Sequence, residues 1–313
     1  MLRSFVPSSE EQIRKAIDTL KSVDLSKTSV DELKEQITVL LKGHHISAPA
    51  FFPSISLRRA RKMNTLPMFL NEIGAPPPDK VRYDQRCNRA GQSLFYCCAA
   101  RNAPFFEVHA KVGHQLVLSE WRTRINVTVN HVGYTRSNFV HLQSTRECPN
   151  WSSSTPTPQP TNEARLIDEF FASLFCVDVQ PGQEHLYRAT IALTEKLIPE
   201  PTEPGAVQFD GVMYPTIPMS GNCENFALKP EFIQRGLEFV KAEYVRIRAV
   251  DGMVMTFDTL DFANSVRADG ALDWRGRPGH WVLRGKGEQL RFGVNEQGEW
   301  EARNANGELI PME

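Results

Sequence analysis

Arg86-Cys87-Asn88-Arg89-Ala90-Gly91-Gln92-Ser93-Leu94-Phe95-Tyr96-Cys97-Cys98-Ala99-Ala100-Arg101-Asn102-Ala103-Pro104-Phe105-Phe106-Glu107 is the stretch on which the reading of this chain turns. It gathers Arg86, Asn88, Gly91, Tyr96 and Glu107 around one short apolar strand, read over 91–100, that leads into a turn at Asn102-Ala103-Pro104. Pro104 then opens a short helix through Phe105-Phe106-Glu107, because proline is tolerated in a first helical turn. These side chains suit an anionic dinucleotide with a cationic ring. An arginine can grip a diphosphate bidentately, an aromatic face can stack on the ring, and a carboxylate can steady the positive charge that develops as a glycosidic bond breaks. A strand with ordinary polar flanks has the same spacing.

On the N-terminal side, 8–43 reads as two helices. Ser8 or Ser9 caps the first, which carries Ile13, Ile17 and Leu20. Ser29 caps the second, with Val30, Leu33, Ile37, Leu40 and Leu41 at helical spacing and Gly43 ending it. The pair either packs on the main domain or serves as a dimerisation or partner element. Residues 51–85 are loop-rich, with an extended Pro76-Pro77-Pro78. On the C-terminal side, 114–145 alternates as strands do. A Ser/Thr/Pro-rich surface loop spans 149–162, and amphipathic helices follow at 162–175 and 181–198. A short helix after 230 precedes strands at 240–258. The tail, 278–313, alternates as a meander, with turns at Gly285-Lys286-Gly287, Glu296-Gln297-Gly298 and Asn304-Ala305-Asn306-Gly307.

The 313 residues are 41% hydrophobic and 23% charged, enough for a folded protein with a sizeable core. A net charge of −1 gives no strong nucleic-acid signal, since phosphate-gripping proteins carry a basic excess. No apolar run is long enough to span a membrane, and the charged N-terminus lacks the apolar core of a signal peptide. The six cysteines form no Cys-x-x-Cys pair, and no histidine stands at zinc-ligand spacing, so no metal is expected. Cys97 and Cys98 read as packing thiols of a reducing, cytoplasmic compartment.

Three blocks in order resemble the RES domain, a family of NAD-degrading toxins named for an arginine, a glutamate and a serine. Leu57-Arg58-Arg59-Ala60-Arg61 is similar to the family's aromatic-Arg-Ala-Arg opening. The Arg86–Glu107 stretch is similar to its Gly-Arg-x-Asn-x-x-Gly-x-x-x-x-Tyr followed by a glutamate. Asp210-Gly211-Val212-Met213-Tyr214-Pro215-Thr216, then Asn225-Phe226-Ala227-Leu228, is similar to its Gly-x-x-Tyr-Pro-Ser and Asn-x-Ala-Leu. The resemblance runs over roughly residues 55–230. Thr216 stands in place of the family's serine and keeps its hydroxyl; Gln85 stands where glycine often precedes the arginine.

The resemblance implies an α+β, ADP-ribosyltransferase-like domain at 51–250, with a helical N-terminal extension at 1–50 and a β-rich C-terminal extension at 251–313. It implies NAD as substrate, cleaved to nicotinamide and ADP-ribose. Glu107, Arg59 and Thr216 are the catalytic candidates; Arg59, Arg61, Arg86, Asn88, Tyr96 and Asn225 are the NAD-binding set. Glu107 would hold the ribose hydroxyls and face the oxocarbenium-like cation, where one well-placed electrostatic contact is worth ~3–4 kcal/mol. Without the resemblance, Glu107 reads as a carboxylate favoured at a helix N-terminus. Arg58, Arg59 and Arg61 are close enough to share that role or to form a solvated basic cluster, though alternation puts Arg59 and Arg61 on one strand face. Tyr96 is a stacking platform or a core tyrosine, and Tyr214 and Asn225 serve structure rather than catalysis. The implied role is NAD depletion by a toxin with an antitoxin or regulatory partner; a homo-oligomer is open. The alternatives are an ADP-ribosyltransferase acting on a macromolecule and a non-catalytic NAD-binding or partner-binding module.

Overall fold

The computed structural model describes residues 8–42, 44, 48–150, 161–200, 207–276, 279–284, 291–294, 300–304 and 308–310. Gly43, most of the Ser/Thr/Pro-rich loop and the tail turns lie outside them, save for Asn304. The helices are α1 (Glu10–Ser22), α2 (Val30–Leu41), α3 (Ala103–Glu107), α4 (Arg136–His141), α5 (Asn162–Phe175), α6 (Arg188–Leu197) and α7 (Pro230–Gly236). The strands are β1 (Ala50–Phe51), β2 (Ser56–Lys62), β3 (Phe95–Cys98), β4 (Gln115–Thr123), β5 (Val127–His131), β6 (Gly211–Pro215) and β7 (Glu224–Leu228). They continue with β8 (Leu237–Asp251), β9 (Val254–Val266), β10 (Leu272–Trp274), β11 (Gly279–Arg284), β12 (Arg291–Val294), β13 (Trp300–Arg303) and β14 (Leu309–Ile310). The chain is therefore mixed α+β.

It divides into two units that interleave along the sequence, unlike three consecutive segments at 1–50, 51–250 and 251–313. Unit 1 comprises Met1–Ser56, Gly74–Ala99 and Arg122–Glu238; unit 2 comprises Leu57–Ile73, Ala100–Trp121 and Phe239–Glu313.

In unit 1 the strand order is β1-β5-β6-β7-β3, with β5 and β6 parallel and the other pairs antiparallel. Gly211 is required where β6 meets β7, because a Cβ there would run into the Ala227 carbonyl and stand 2.9 Å from the Leu228 Cα. The helices cover one sheet face. Ser9 and Ser29 each form a capping box, with Gln12 and Glu32 respectively, which fixes where α1 and α2 start. The apolar stripe Ile13, Ile17, Leu20 and the stripe Val30, Leu33, Ile37, Leu40 are buried. They join Ile167, Phe170, Phe171 and Phe175 of α5 and Ile191, Leu193 and Leu197 of α6 in a core that reaches Val212, Tyr214 and Ala227 of the sheet. Arg188 fastens the α1–α2 turn by donating from Nη1 to the carbonyls of Leu25 (2.9 Å), Ser26 (3.0 Å) and Thr28 (3.2 Å). The N-terminal pair thus belongs to the core of unit 1.

In unit 2 the order is β2-β4-β8-β9-β10, with β11 also on β9, and β12-β13-β14 form a separate three-stranded sheet. Part of the tail read as one meander therefore joins β9 instead. The core of unit 2 gathers Ala60, Leu116, Leu118, Val245, Ile247 and Met255 around the stacked rings of Phe105 and Phe257, 5.0 Å apart. Other departures are local. β2 runs through a stretch read as loop-rich, at the point where alternation put Arg59 and Arg61 on a strand face, α4 lies within a stretch read as strands, and 181–198 holds a 3-10 turn (Glu184–Tyr187) before α6.

Leu33 is fully buried between the helices. Leu33→Ala should cost unit 1 about 2–5 kcal/mol by removing methyl groups the site cannot refill, seen as a lower urea midpoint. A variant that melts only its first 42 residues would show that the helical pair folds apart from the rest.

Candidate functional site

The Arg86–Gln92 segment is a tight loop held by its own polar groups. Gln85 N–H donates to the Asn88 carbonyl at 2.8 Å, and Gly91, at φ +79°, donates to the Val81 carbonyl at 2.8 Å. That left-handed conformation favours glycine. Asn88 is buried and spends its whole amide on the loop: Nδ2 donates to the carbonyls of Arg89 (3.1 Å) and Gln92 (2.8 Å), and Oδ1 accepts from the Tyr96 hydroxyl at 2.6 Å. The same hydroxyl accepts from Cys87 N–H at 2.9 Å. Burial pushes the Tyr96 hydroxyl well above its ordinary range and the Cys87 thiol up to about 12.

Arg86 points toward α5. Its Nη1 donates to the Phe175 carbonyl at 2.8 Å and Nη2 to the Val177 carbonyl at 3.0 Å. Its guanidinium carbon lies 5.2 Å from the Tyr187 ring centre and 6.0 Å from that of Tyr214. Thr190 of α6 returns the tie, donating from Oγ1 to the Arg86 carbonyl at 2.6 Å. In this arrangement Arg86 and Asn88 build the loop, with both terminal nitrogens of Arg86 given to carbonyls. Arg89, to which the sequence reading gave no role, bonds Asp31 (2.9 and 2.6 Å) and Glu195 (2.6 and 2.9 Å), while Lys34 bonds Glu195 at 2.6 Å. The bonds from Arg89 hold the exposed Asp31 carboxyl down to about 2. Burial pushes Glu195 the other way, but the bonds from Arg89 and Lys34 outweigh it.

The strand register brings the second and third motif blocks together. Tyr96 stands opposite Ala227, which stands opposite Val212; Cys98 stands opposite Asn225, which stands opposite Tyr214. Alternation puts Tyr96, Cys98, Asn225, Val212 and Tyr214 on one face, the one packed by helices. Asn225 is buried and accepts from the Cys98 thiol at 3.1 Å. Thr216, fully buried, follows β6, with its N–H donating to the Cys223 carbonyl at 2.9 Å and its carbonyl accepting from Gly221 at 2.7 Å.

Comparison with family models, curated proteins and solved structures gives no match to this chain.

Unit 2 carries Arg59, Arg61 and Glu107. β2 separates the three arginines by alternation. Arg58 bonds Glu120 at 3.3 Å, on the side where Ala60 packs, whereas Arg59 and Arg61 point the other way. Arg61 Nη1 donates to the Glu72 carbonyl at 2.5 Å, and the Arg59 carbonyl accepts from Ser119 Oγ at 3.3 Å. Glu107 is half-buried and is the last residue of α3, not in its first turn. A carboxylate gains nothing from the helix dipole at that end, so the dipole does not account for this residue.

The same unit holds an ion-pair chain that the sequence reading missed. Lys241 lies between Glu120 (3.9 Å) and Glu243 (3.5 Å), and Arg101 bonds Glu243 at 2.8 Å. Glu243 is 3% exposed, so this carboxylate depends on its two cations. Its only signal in sequence is charge at alternate positions, Lys241 and Glu243, on a strand.

Among the described residues no group of three or more His, Cys, Asp or Glu side chains is placed to hold a metal, and no helix is long and apolar enough to cross a membrane.

Two outcomes are expected. Cys87, buried and with its thiol up to about 12, should resist alkylation at pH 8 in the native protein and react once unfolded; peptide mapping reads this. Asp31, held near 2 by Arg89, stabilises the fold at pH values above the ordinary carboxylate range, and that support is lost as pH falls toward 2. The gap in urea midpoint between the wild type and Asp31→Asn should therefore shrink as pH drops from about 4 to about 2.

Proposed function

We propose that this chain is an ADP-ribosyltransferase-like RES domain that cleaves NAD at the nicotinamide–ribose bond. One observation carries the reading. The second and third motif blocks, with Cys98 and Asn225 127 positions apart in sequence, meet on the adjacent strands β3, β7 and β6 in matched register. Motif matches that arose by accident would have no reason to fold side by side.

On this reading the loop around Arg86 and Asn88 is scaffold for the NAD site, and Arg59 and Arg61 carry the charge that faces the diphosphate. Positive charge grows on the ribose C1′ as the bond to nicotinamide stretches. Glu107 binds the ribose hydroxyls in the ground state and gains Coulomb energy only as that cation forms, which is the differential binding that lowers a barrier. Nicotinamide leaves as a neutral amine, so no strong general acid is required. Thr216 supplies a hydroxyl for the ribose. Water, phosphate or a macromolecule then takes the ADP-ribose. The biological outcome is depletion of cytoplasmic NAD, restrained by an antitoxin or regulatory protein.

Nicotinamide release from NAD by the purified protein, wild type beside Glu107→Gln, tests this. Release should fall by a factor of about 100 or more in the variant, the loss expected for one transition-state electrostatic contact, with the circular dichroism spectrum unchanged. Undiminished release from Glu107→Gln would sink the site assignment, and label transferred from NAD to a macromolecule would redirect the acceptor to the transferase alternative.

A further inference from the structure

We propose that Arg146 and Glu224 form a positioning pair that holds the turn between β6 and β7, and with it Thr216, in the geometry that NAD cleavage needs; the proposal rests on the function proposed above. The turn has a built-in liability. Ser220 at φ +53° and Gly221 at φ +72° are consecutive residues in the left-handed region. Glycine sits there freely, whereas serine does so only when its surroundings enforce it. Inside the turn, Thr216 N–H donates to the Cys223 carbonyl and Gly221 N–H to the Thr216 carbonyl, so any change at Ser220 and Gly221 reaches Thr216 directly.

The enforcement comes from a segment outside the three motif blocks. Arg146 Nε donates to the Gly221 carbonyl at 2.8 Å, on the strained pair itself. Its Nη1 lies 2.5 Å from the Glu224 carboxylate, next to Asn225 at the start of β7. The guanidinium rests 5.5 Å from the centre of the Phe139 ring, which anchors it to α4. Two residues earlier the attachment is repeated. Asn222 Oδ1 accepts from Ser144 Oγ (3.1 Å), Thr145 N–H (3.1 Å) and Thr145 Oγ1 (2.9 Å). The Arg146 and Glu224 side chains are 29% and 14% exposed, which shields the pair from the screening that makes surface pairs weak. Only an arginine can serve all three partners at once: one terminal nitrogen, Nη1, for the carboxylate, a separate Nε for the carbonyl and a flat face for the ring.

Arg146 acts through the turn, so its loss should separate chemistry from binding. The test compares the wild type, Arg146→Gln and Arg146→Lys in two measurements: kcat and KM for nicotinamide release, and hydrogen exchange of the Thr216 and Gly221 amides. Arg146→Gln should lower kcat about tenfold or more, as sub-ångström misplacement of a reacting group does, while KM changes little and both amides exchange faster. Arg146→Lys, which keeps the charge opposite Glu224, should recover part of kcat and guards against a glutamine variant that fails to fold. A wild type that releases nicotinamide beside an Arg146→Gln that matches its kcat, or whose two amides exchange no faster, overturns the positioning role and leaves the NAD-cleaving reading intact. A wild type that releases no nicotinamide overturns that reading and this proposal with it.

Discussion

Everything around the Arg86–Gln92 loop depends on where one half-buried cation finds its partners. The carbonyls at the end of a helix have no intrahelical donors, and they carry the negative end of its dipole. Arg86 takes the Phe175 carbonyl at the end of α5 and the Val177 carbonyl just beyond it, between the rings of Tyr187 and Tyr214. Among the described residues no carboxylate bonds it. Two carbonyls and two aromatic faces replace one, which avoids burying a second charge. Because Thr190 bonds the Arg86 carbonyl in turn, the end of α5, the start of α6 and the approach to β3 are fixed by one residue. The Tyr96–Asn88 hydrogen bond is then free to set the inner geometry of the loop.

A second set of charges ties that loop to the N-terminal helices. Arg89 spans Asp31 of α2 and Glu195 of α6, and Lys34 adds a further bond to Glu195. Most of the energy that holds α1 and α2 in place comes from their apolar stripes, since half-exposed ion pairs contribute little each. The pairs instead set direction. They choose one rotation of α2 on α6, and they do so through the residue next to Asn88, so the helices and the loop cannot shift independently.

What was legible in the sequence was whatever is encoded locally. α1 and α2 stood out because serine caps precede apolar residues at helical spacing, and α5 because its apolar residues recur at that spacing. α4 did not, because six residues are too few for periodicity to speak; its one signal was Thr135, whose side chain caps Asn138. β2 was legible only in the alternation that put Arg59 and Arg61 on one strand face, because its three arginines also read as a solvated basic cluster until Glu120 and the Glu72 carbonyl take two of them. β11 pairing with β9 is a long-range choice that alternation cannot specify. The site divides the same way. The motif residues were legible as types, but their partners were not: Arg86 reaches carbonyls 89 and 91 residues away, and spacing in sequence carries no trace of that.

On the function proposed above, the threonine at 216 departs from the motif's serine while keeping its hydroxyl. Serine has a small hydroxyl that rotates to suit, whereas threonine is β-branched and stiff about χ1. At a fully buried position with both backbone groups bonded within the turn, the added methyl has to be packed, and packing it fixes the direction of the hydroxyl. A hydroxyl fixed in direction needs a backbone fixed in position, because it can no longer correct an error by rotating. The unusual effort spent on this turn, with an arginine, an asparagine and two hydroxyl side chains fastening nine residues, follows from that exchange of rotational freedom for placement.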